Sequence, residues 1–487
     1  MASVGIDPTT SREVGATGFI VEFDGPQDPH NPQNWPMRRT NFNVAPYIFA
    51  TLAATFASAD LSSSVKVIGS HFHISPEVAT LAAATLFLCG FGLGPAIWAP
   101  LSEVKGRTLP ARMAVFGLMV FAAGGANARD VQTLMLCRFF QGLMGSGPLV
   151  VGPGVIADSF KPLHRGYALA CFGAVVFTGP MLAPFVAGFT LQNGSLGWRW
   201  NVWWGFFLAL ASLLCLLFVS SESYVPVILT NKAAVKRHDT RNYAWHSRHE
   251  EVQVSLRDFA AKYLKKPIIM MATEPILFCV SLYTAFVYAL LYTFLTSYGI
   301  VFRNGYGMNL GISGFPLFGL IFGLMLGTLA FVSAQPRLNR LVIQHKGVYT
   351  PEWLMPLCMT GAVAFPVGLF WFGWTGAYPH SVHWIVPTLS GIFTGYGLIM
   401  IFSTSFTYLI VVYKQNSAMA FGANTMIRSA LAAGFPMFAT QLFDNLGVQW
   451  ANTLLGCLAV VLAPVPVIFY LYGAKIRARS KWVPKEL

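Results

Sequence analysis

Charge is scarce in this sequence. Asp, Glu, Lys and Arg together make up 10% of the 487 residues, where a water-soluble domain of this length carries about a quarter. So little charge cannot clothe a water-facing surface, and a soluble globular fold is excluded. Long hydrophilic stretches are equally rare, and residues 220–267 form the single one between apolar runs. The seven cysteines (Cys89, Cys137, Cys171, Cys215, Cys279, Cys358 and Cys457) all fall inside apolar runs, with no CxxC and no Cys/His cluster. That argues against disulfides and a zinc site, and for small buried packing residues. No carbonyl-filter motif, His-rich metal cluster or nucleophile elbow is present. The first forty residues lack an apolar core and carry five acids, so no cleavable signal peptide is expected and the first apolar run serves as its own insertion signal.

What is present is apolar. Hydrophobic residues make up 55% of the chain, and runs of about 18 or more recur, each long enough to cross a hydrocarbon core about 30 Å thick. Without water to satisfy the backbone, such runs must be helices. Twelve are expected, near 42–62, 78–99, 111–128, 131–155, 166–190, 199–219, 268–297, 313–334, 353–373, 383–412, 417–440 and 450–472.

The net charge of +13 raises the question of nucleic acid, and the placement of the charges answers it. With both termini inside, Lys66, Arg129, Arg199 and Arg303 fall on outer loops and Arg138 and Arg428 within spans. Every other Lys and Arg lies on the inner side. This is the positive-inside bias, so no nucleic-acid partner is expected. The basic tail, 473–487, is read as an inner flank facing anionic lipid.

Residues 220–267 divide the spans six and six, giving a tail at 1–41, a first bundle at 42–219 and a second at 268–472. A repeat is visible: "LGPAIWAPLSEVKGR" from Leu93 aligns with "LGTLAFVSAQPRLNR" from Leu326. The fold expected is an all-α integral membrane protein with twelve transmembrane helices in two pseudo-symmetric six-helix bundles. Two related halves with a site between them are a common transporter plan.

Several stretches resemble the major facilitator superfamily. Ala99 to Arg107, "APLSEVKGR", is similar to its loop between helices 2 and 3. "LMLCRFFQG" from Leu134 resembles its helix-4 motif, and "GPMLAPFVAGF" from Gly179 the helix-5 motif of its proton antiporters. "NPQNWP" (31–36), "WRWNVWW" (198–204), "ESYVPVIL" (222–229) and "HWIVP" (383–387) resemble the fungal twelve-span drug:proton antiporter branch. There are departures: Ala99 replaces a leading Gly, Thr108 a basic residue, and Ala183 and Ala187 glycines of helix 5.

Each candidate residue has a physical rationale. Gly106 permits a tight turn, and Glu103 is placed to pair with Arg107 or Arg112 or to face a helix N-terminus. The resemblance implies a latch to helix 11, with Asp158 and Arg165 in the same inner network. Gly179, Pro180, Pro184 and Gly188 make helix 5 thin and kinked. Charges inside a membrane are expensive, roughly 2.5–3.5 kcal/mol each on insertion scales, so each is a functional candidate. Asp60, Arg138, Glu274 and Arg428 form that set for proton coupling and substrate contact. Asp60 either lines a cavity or sits at the outer mouth. Glu274 either works or merely pairs with Lys265 or Lys266. Arg138, by resemblance, is the proton-relay and anion-contact candidate. An arginine alongside opposes protonation of a carboxylate, so Asp60 is expected apart from Arg138 or exchanging partners. Tyr283, Tyr288, Tyr292, Phe402, Phe406, Tyr408 and Asn424 are candidates for cavity lining. Tyr288 and Tyr292 share a helix face, as do Asn424 and Arg428.

The function expected is proton-coupled export of a small organic metabolite or toxicant from a plasma membrane, with both termini cytoplasmic. A proton-coupled importer and a transporter-fold sensor are the alternatives. The expected partners are protons, a small-molecule substrate and lipid, with a monomer as the working unit and neither cofactor nor metal.

Overall fold

A computed structural model describes residues 19–251, 265–345, 349–413, 417–478, 480 and 482. The first bundle consists of α1 (Met37–Ala57), α2 (Pro76–Val104), α3 (Thr108–Ala126), α4 (Val131–Ser159), α5 (Pro162–Gln192) and α6 (Arg199–Phe218). The second begins with α7 (Pro275–Tyr298), α8 (Leu317–Gln344), α9 (Met355–Gly376) and α10 (Ile385–Tyr413). A continuous helical run then covers Ser417–Leu462, 46 residues. Unbroken it would be about 69 Å long, twice the depth of a bilayer core. Gly447, at φ 73° and ψ 166°, breaks it. The run is therefore α11 (417–446) and the start of α12 (448–462), which continues as Pro464–Ala478. Twelve spans result among the described residues, an even number that puts both described chain ends on one face, hereafter the terminal face.

Most span ends shift by several residues from the expected bounds, and two spans are interrupted for a local reason. The first stops at Ala57, and residues 58–61 turn before a short helix, Val65–Phe72. The seventh is broken at Glu274, whose extended backbone (φ −108°, ψ 102°) separates Lys266–Thr273 from α7. Pro275 disfavours the α conformation in the residue before it, which places the break.

Helices approach closely through glycine. A Cβ on Gly142 of α4 would meet the Phe87 carbonyl of α2, and one on Gly90 of α2 would meet the Phe139 carbonyl of α4. This mutual contact locks α2 against α4 in the absence of any hydrophobic drive between helices in lipid. Across the halves, α5 packs on α8. Asn339 Nδ2 donates to the Leu163 carbonyl at 3.0 Å near the terminal face, and Gly188 abuts Leu310 at the opposite face. The α5 side of the seam thus has a contact towards each end. Helix α7 is buried along most of its length, Tyr283, Tyr288 and Tyr292 included.

On the terminal face, residues 19–36 dock onto the connecting helix Val225–Thr240 and the turn after it. Lys232 Nζ reaches Asp24 at 2.7 Å and Asp28 at 3.1 Å, and Val21 N donates to the His246 carbonyl at 2.9 Å. Backbone N–H groups of Asp24 and His30, followed by Lys232, hold the Asp28 carboxyl well below the usual carboxylate range.

Candidate functional site

Arg138 projects from α4 into the first bundle, fully buried. It lands where two neighbours depart from regular helix. Its Nη1 donates to the Ala57 carbonyl at 3.0 Å, at the end of α1. Its Nη2 donates to the Ala83 carbonyl at 2.6 Å, inside a π-turn of α2 at Leu81–Thr85. Helix ends and π-turns expose carbonyls that a regular helix would satisfy. Gln141, three residues along α4, accepts from Nη1 at 2.9 Å. Phe87 lies 5.0 Å from the guanidinium.

Asp60 sits in the turn after α1 with Oδ1 3.0 Å from Arg138 Nη1, and both side chains are fully buried. Of the two expected arrangements, apart from Arg138 or exchanging partners, this conformation has the pair in contact, and Asp60 is buried and not at an open mouth. The helix break after Ala57 folds Asp60 back into the bundle, where Gly205 of α6 leaves room for its second oxygen. Both Nη1 hydrogens go to Ala57 and Gln141, and neither Asp60 oxygen accepts an aligned hydrogen bond among the described residues.

A second cluster lies where the halves meet. Ser58, two residues before Asp60, gives its hydroxyl proton to the Thr55 carbonyl at 2.6 Å. Tyr292 of α7 is 2.8 Å from Ser58 Oγ and so acts as donor there, and Tyr288 Oη lies 3.3 Å from Tyr292 Oη. The guanidinium of Arg428, on α11, is stacked 4.4 Å from the Tyr288 ring and 5.1 Å from Phe402 of α10. Phe177 of α5 closes the cage, edge-on to Tyr288 at 5.9 Å and to Phe402 at 4.8 Å. A hydroxyl chain therefore links the Asp60 turn in one half to the Arg428 cage in the other.

Other candidates lie elsewhere. Tyr408 stacks on Phe469 of α12 at 5.9 Å, away from the cage. Tyr283 is five residues before Tyr288, about 140° round the helix, and is buried in the same apolar core. Asn424 ties α11 to α7, donating to Ser281 at 3.0 Å and Thr284 at 2.8 Å. Phe406 stacks on Phe402 at 5.9 Å and lines a void of about 10 Å³ between α5, α8 and α10. Glu274 lies at the terminal-face end of α7, within reach of the Tyr413 hydroxyl at 3.3 Å and beside a cleft of about 960 Å³ that Lys475 also lines.

The charged loop between α2 and α3 has its own centre. Gly106 has φ 85°, a left-handed turn that favours glycine. Arg107 Nε donates to Asp158 of α4 at 2.9 Å and Nη1 to Ser102 at 2.9 Å, while its guanidinium lies 4.6 Å from the Tyr224 ring. Arg112 donates to the Leu216 and Ser220 carbonyls, both at 3.1 Å. Arg165 donates to the Ala157 carbonyl at 2.6 Å. Arg107 is thus paired with Asp158 and Arg112 with the end of α6, while Glu103 adds an electrostatic attraction to Arg107. The missed residue is Glu222. Its carboxylate accepts from the backbone of Arg107 at 2.9 Å, Thr108 at 3.1 Å, Ser223 at 3.0 Å and Tyr224 at 2.9 Å, and from the Thr108 hydroxyl at 2.8 Å. It caps the N-terminus of α3 from 114 residues away. Glu222→Gln swaps acceptor lone pairs for an amide that opposes those N–H groups. A stability loss of about 2 kcal/mol is expected, read as a lower melting temperature of the purified protein. An unchanged melting temperature would mean that the loop stands without the cap.

In the helix-5 motif, Gly179 abuts Thr55 and Phe56 of α1, while Gly188 meets Leu310 of the other half. Pro180 and Pro184 lie inside α5 without ending it.

Residues 47–436 match the model of the Major Facilitator Superfamily. The chain belongs to that superfamily. Among its relatives, the superfamily multidrug transporter FLU1 of Candida albicans is 40% identical over 95% of this chain and 76% of its own length. The multidrug transporter TPO1_2 of Candida glabrata is 41% identical over 96% and 80%. The citrinin biosynthesis cluster transporter mrr1 of Monascus ruber is 38% identical over 98% and 95%. Among solved structures, the proton:xylose symporter XylE superposes with a TM-score of 0.64 at 16% identity, covering 90% of this chain and 96% of that one. That likeness is one of fold alone.

Proposed function

We propose that this superfamily member is a proton-coupled exporter of small organic compounds, working as a single chain in the plasma membrane with the terminal face cytoplasmic. The reading is supported most by Asp60, a fully buried acid 3.0 Å from Arg138, because burial favours its protonated form while the Arg138 charge favours the carboxylate, so a small rearrangement can tip the balance. A proton carrier must take up and release its proton without dismantling its surroundings. Arg138 is held by Ala57, Gln141 and Ala83 through bonds that do not involve Asp60, which leaves Asp60 room to change state. The Ser58–Tyr292 bond offers a route by which that state biases the seam between the halves. The multidrug and metabolite-cluster relatives favour export of organic cargo.

The test uses inside-out plasma-membrane vesicles and a panel of radiolabelled drugs and organic acids. Acidifying the vesicle lumen should drive accumulation of at least one compound, and a protonophore should collapse it. Accumulation driven by the opposite gradient would identify an importer. Saturable binding without flux would identify a sensor.

A further inference from the structure

The two buried arginines differ in one respect. Arg138 has three oxygen acceptors and a carboxylate beside it. Arg428 is equally buried, yet its Nε, Nη1 and Nη2 all lack a hydrogen-bond partner among the described residues. Its contacts with protein charge are the faces of Tyr288 and Phe402. Cation–π contacts contribute roughly 0.5–2 kcal/mol, whereas removing a guanidinium from water costs several kcal/mol even after relaxation. Stacking therefore does not balance the charge. Nor does a nearby acid. Asp60 is engaged by Arg138, and Glu274 starts α7 fourteen residues before Tyr288, about 21 Å along the helix.

Stacking does, however, orient the group. Rings on its faces leave its in-plane N–H edges for an acceptor, and that fork matches the two oxygens of a carboxylate. Ser403, the residue after Phe402, faces Gly173 across the halves and also lacks a protein partner. Phe177 enters the cage from the other half, so an occupant would touch both halves at once. We infer that Arg428, framed by Phe177, Tyr288 and Phe402, is the recognition site for the carboxylate of a planar organic anion, carried as cargo. This deepens the export reading and rests on it for the word cargo alone, because recognition is measurable without flux.

The probes are 2-naphthoate and its neutral isostere 2-naphthamide, titrated against the purified full-length chain in nanodiscs and then followed in the inside-out vesicles. Wild type should bind naphthoate at least tenfold tighter than naphthamide. Arg428→Gln should bring the two within threefold of each other, and Arg428→Lys should restore part of the preference. Equal affinities in wild type overturn the assignment even if no variant folds, as does a preference that survives Arg428→Gln. Selective binding of naphthoate with no gradient-driven uptake of any compound would sustain the anion site while removing the export reading.

Discussion

Asp60→Asn should abolish proton-driven accumulation, by a hundredfold or more in initial rate, while substrate exchange between equal pools persists. Asparagine keeps the shape of the protonated acid and cannot ionise, so the alternation that couples proton to cargo is lost. Exchange survives because cargo can still cross and return without a proton changing hands. The scaffold should survive as well. Both Nη1 hydrogens of Arg138 already go to Ala57 and Gln141, so no aligned hydrogen bond is broken. The Arg138 charge does lose its counter-charge, and a stability loss of up to about 3 kcal/mol is expected. Measuring accumulation and counterflow side by side in proteoliposomes separates the two effects. Accumulation with a normal pH profile in Asp60→Asn would exonerate Asp60 and make Glu274 the acid to examine.

Arg138→Lys should be nearly as damaging as Arg138→Ala. Arginine holds carbonyls on two different helices through separate nitrogens, Nη1 to α1 and Nη2 to α2. An ammonium is a compact point charge that cannot span both. Lysine would keep the charge beside Asp60 yet orphan at least one buried carbonyl, at roughly 1–3 kcal/mol. Alanine would leave Asp60 an uncompensated buried acid, at about 3–5 kcal/mol. Transport should fall at least a hundredfold in both, with Arg138→Lys the better folded by melting temperature. Near-normal transport in Arg138→Lys would reduce the residue to a counter-charge.

The sequence made some of this plain and concealed the rest for identifiable reasons. Intramembrane charges stand out because each is costly, which is how Asp60, Arg138 and Arg428 became candidates. Their pairing did not stand out, because Asp60 reaches Arg138 through a helix break after Ala57 and beside a π-turn in α2, and neither has a residue signature. Helical spacing put Tyr288 with Tyr292. The same reasoning could not separate Phe402, which faces α5, from Tyr408, which faces α12, since both sides of α10 are buried and apolar. Phe177 carries no signal at all among forty phenylalanines. Glu222 was visible within "ESYVPVIL", but a cap acting across 114 residues leaves no local pattern.

The unbalanced charge of Arg428 has an electrical consequence. If its occupant is an anion, outward movement of cargo and inward movement of a proton carry charge in the same direction. Each turnover then shifts two elementary charges across the membrane, where a neutral cargo would shift one. A potential of 100 mV contributes about 2.3 kcal/mol per charge, so the anion cycle gains about 4.6 kcal/mol, on the order of a thousandfold in attainable gradient. Such a transporter answers to voltage more steeply than to pH. Depolarisation would therefore cost the anion cycle twice what it costs a neutral cargo, and leave both running on the pH gradient alone.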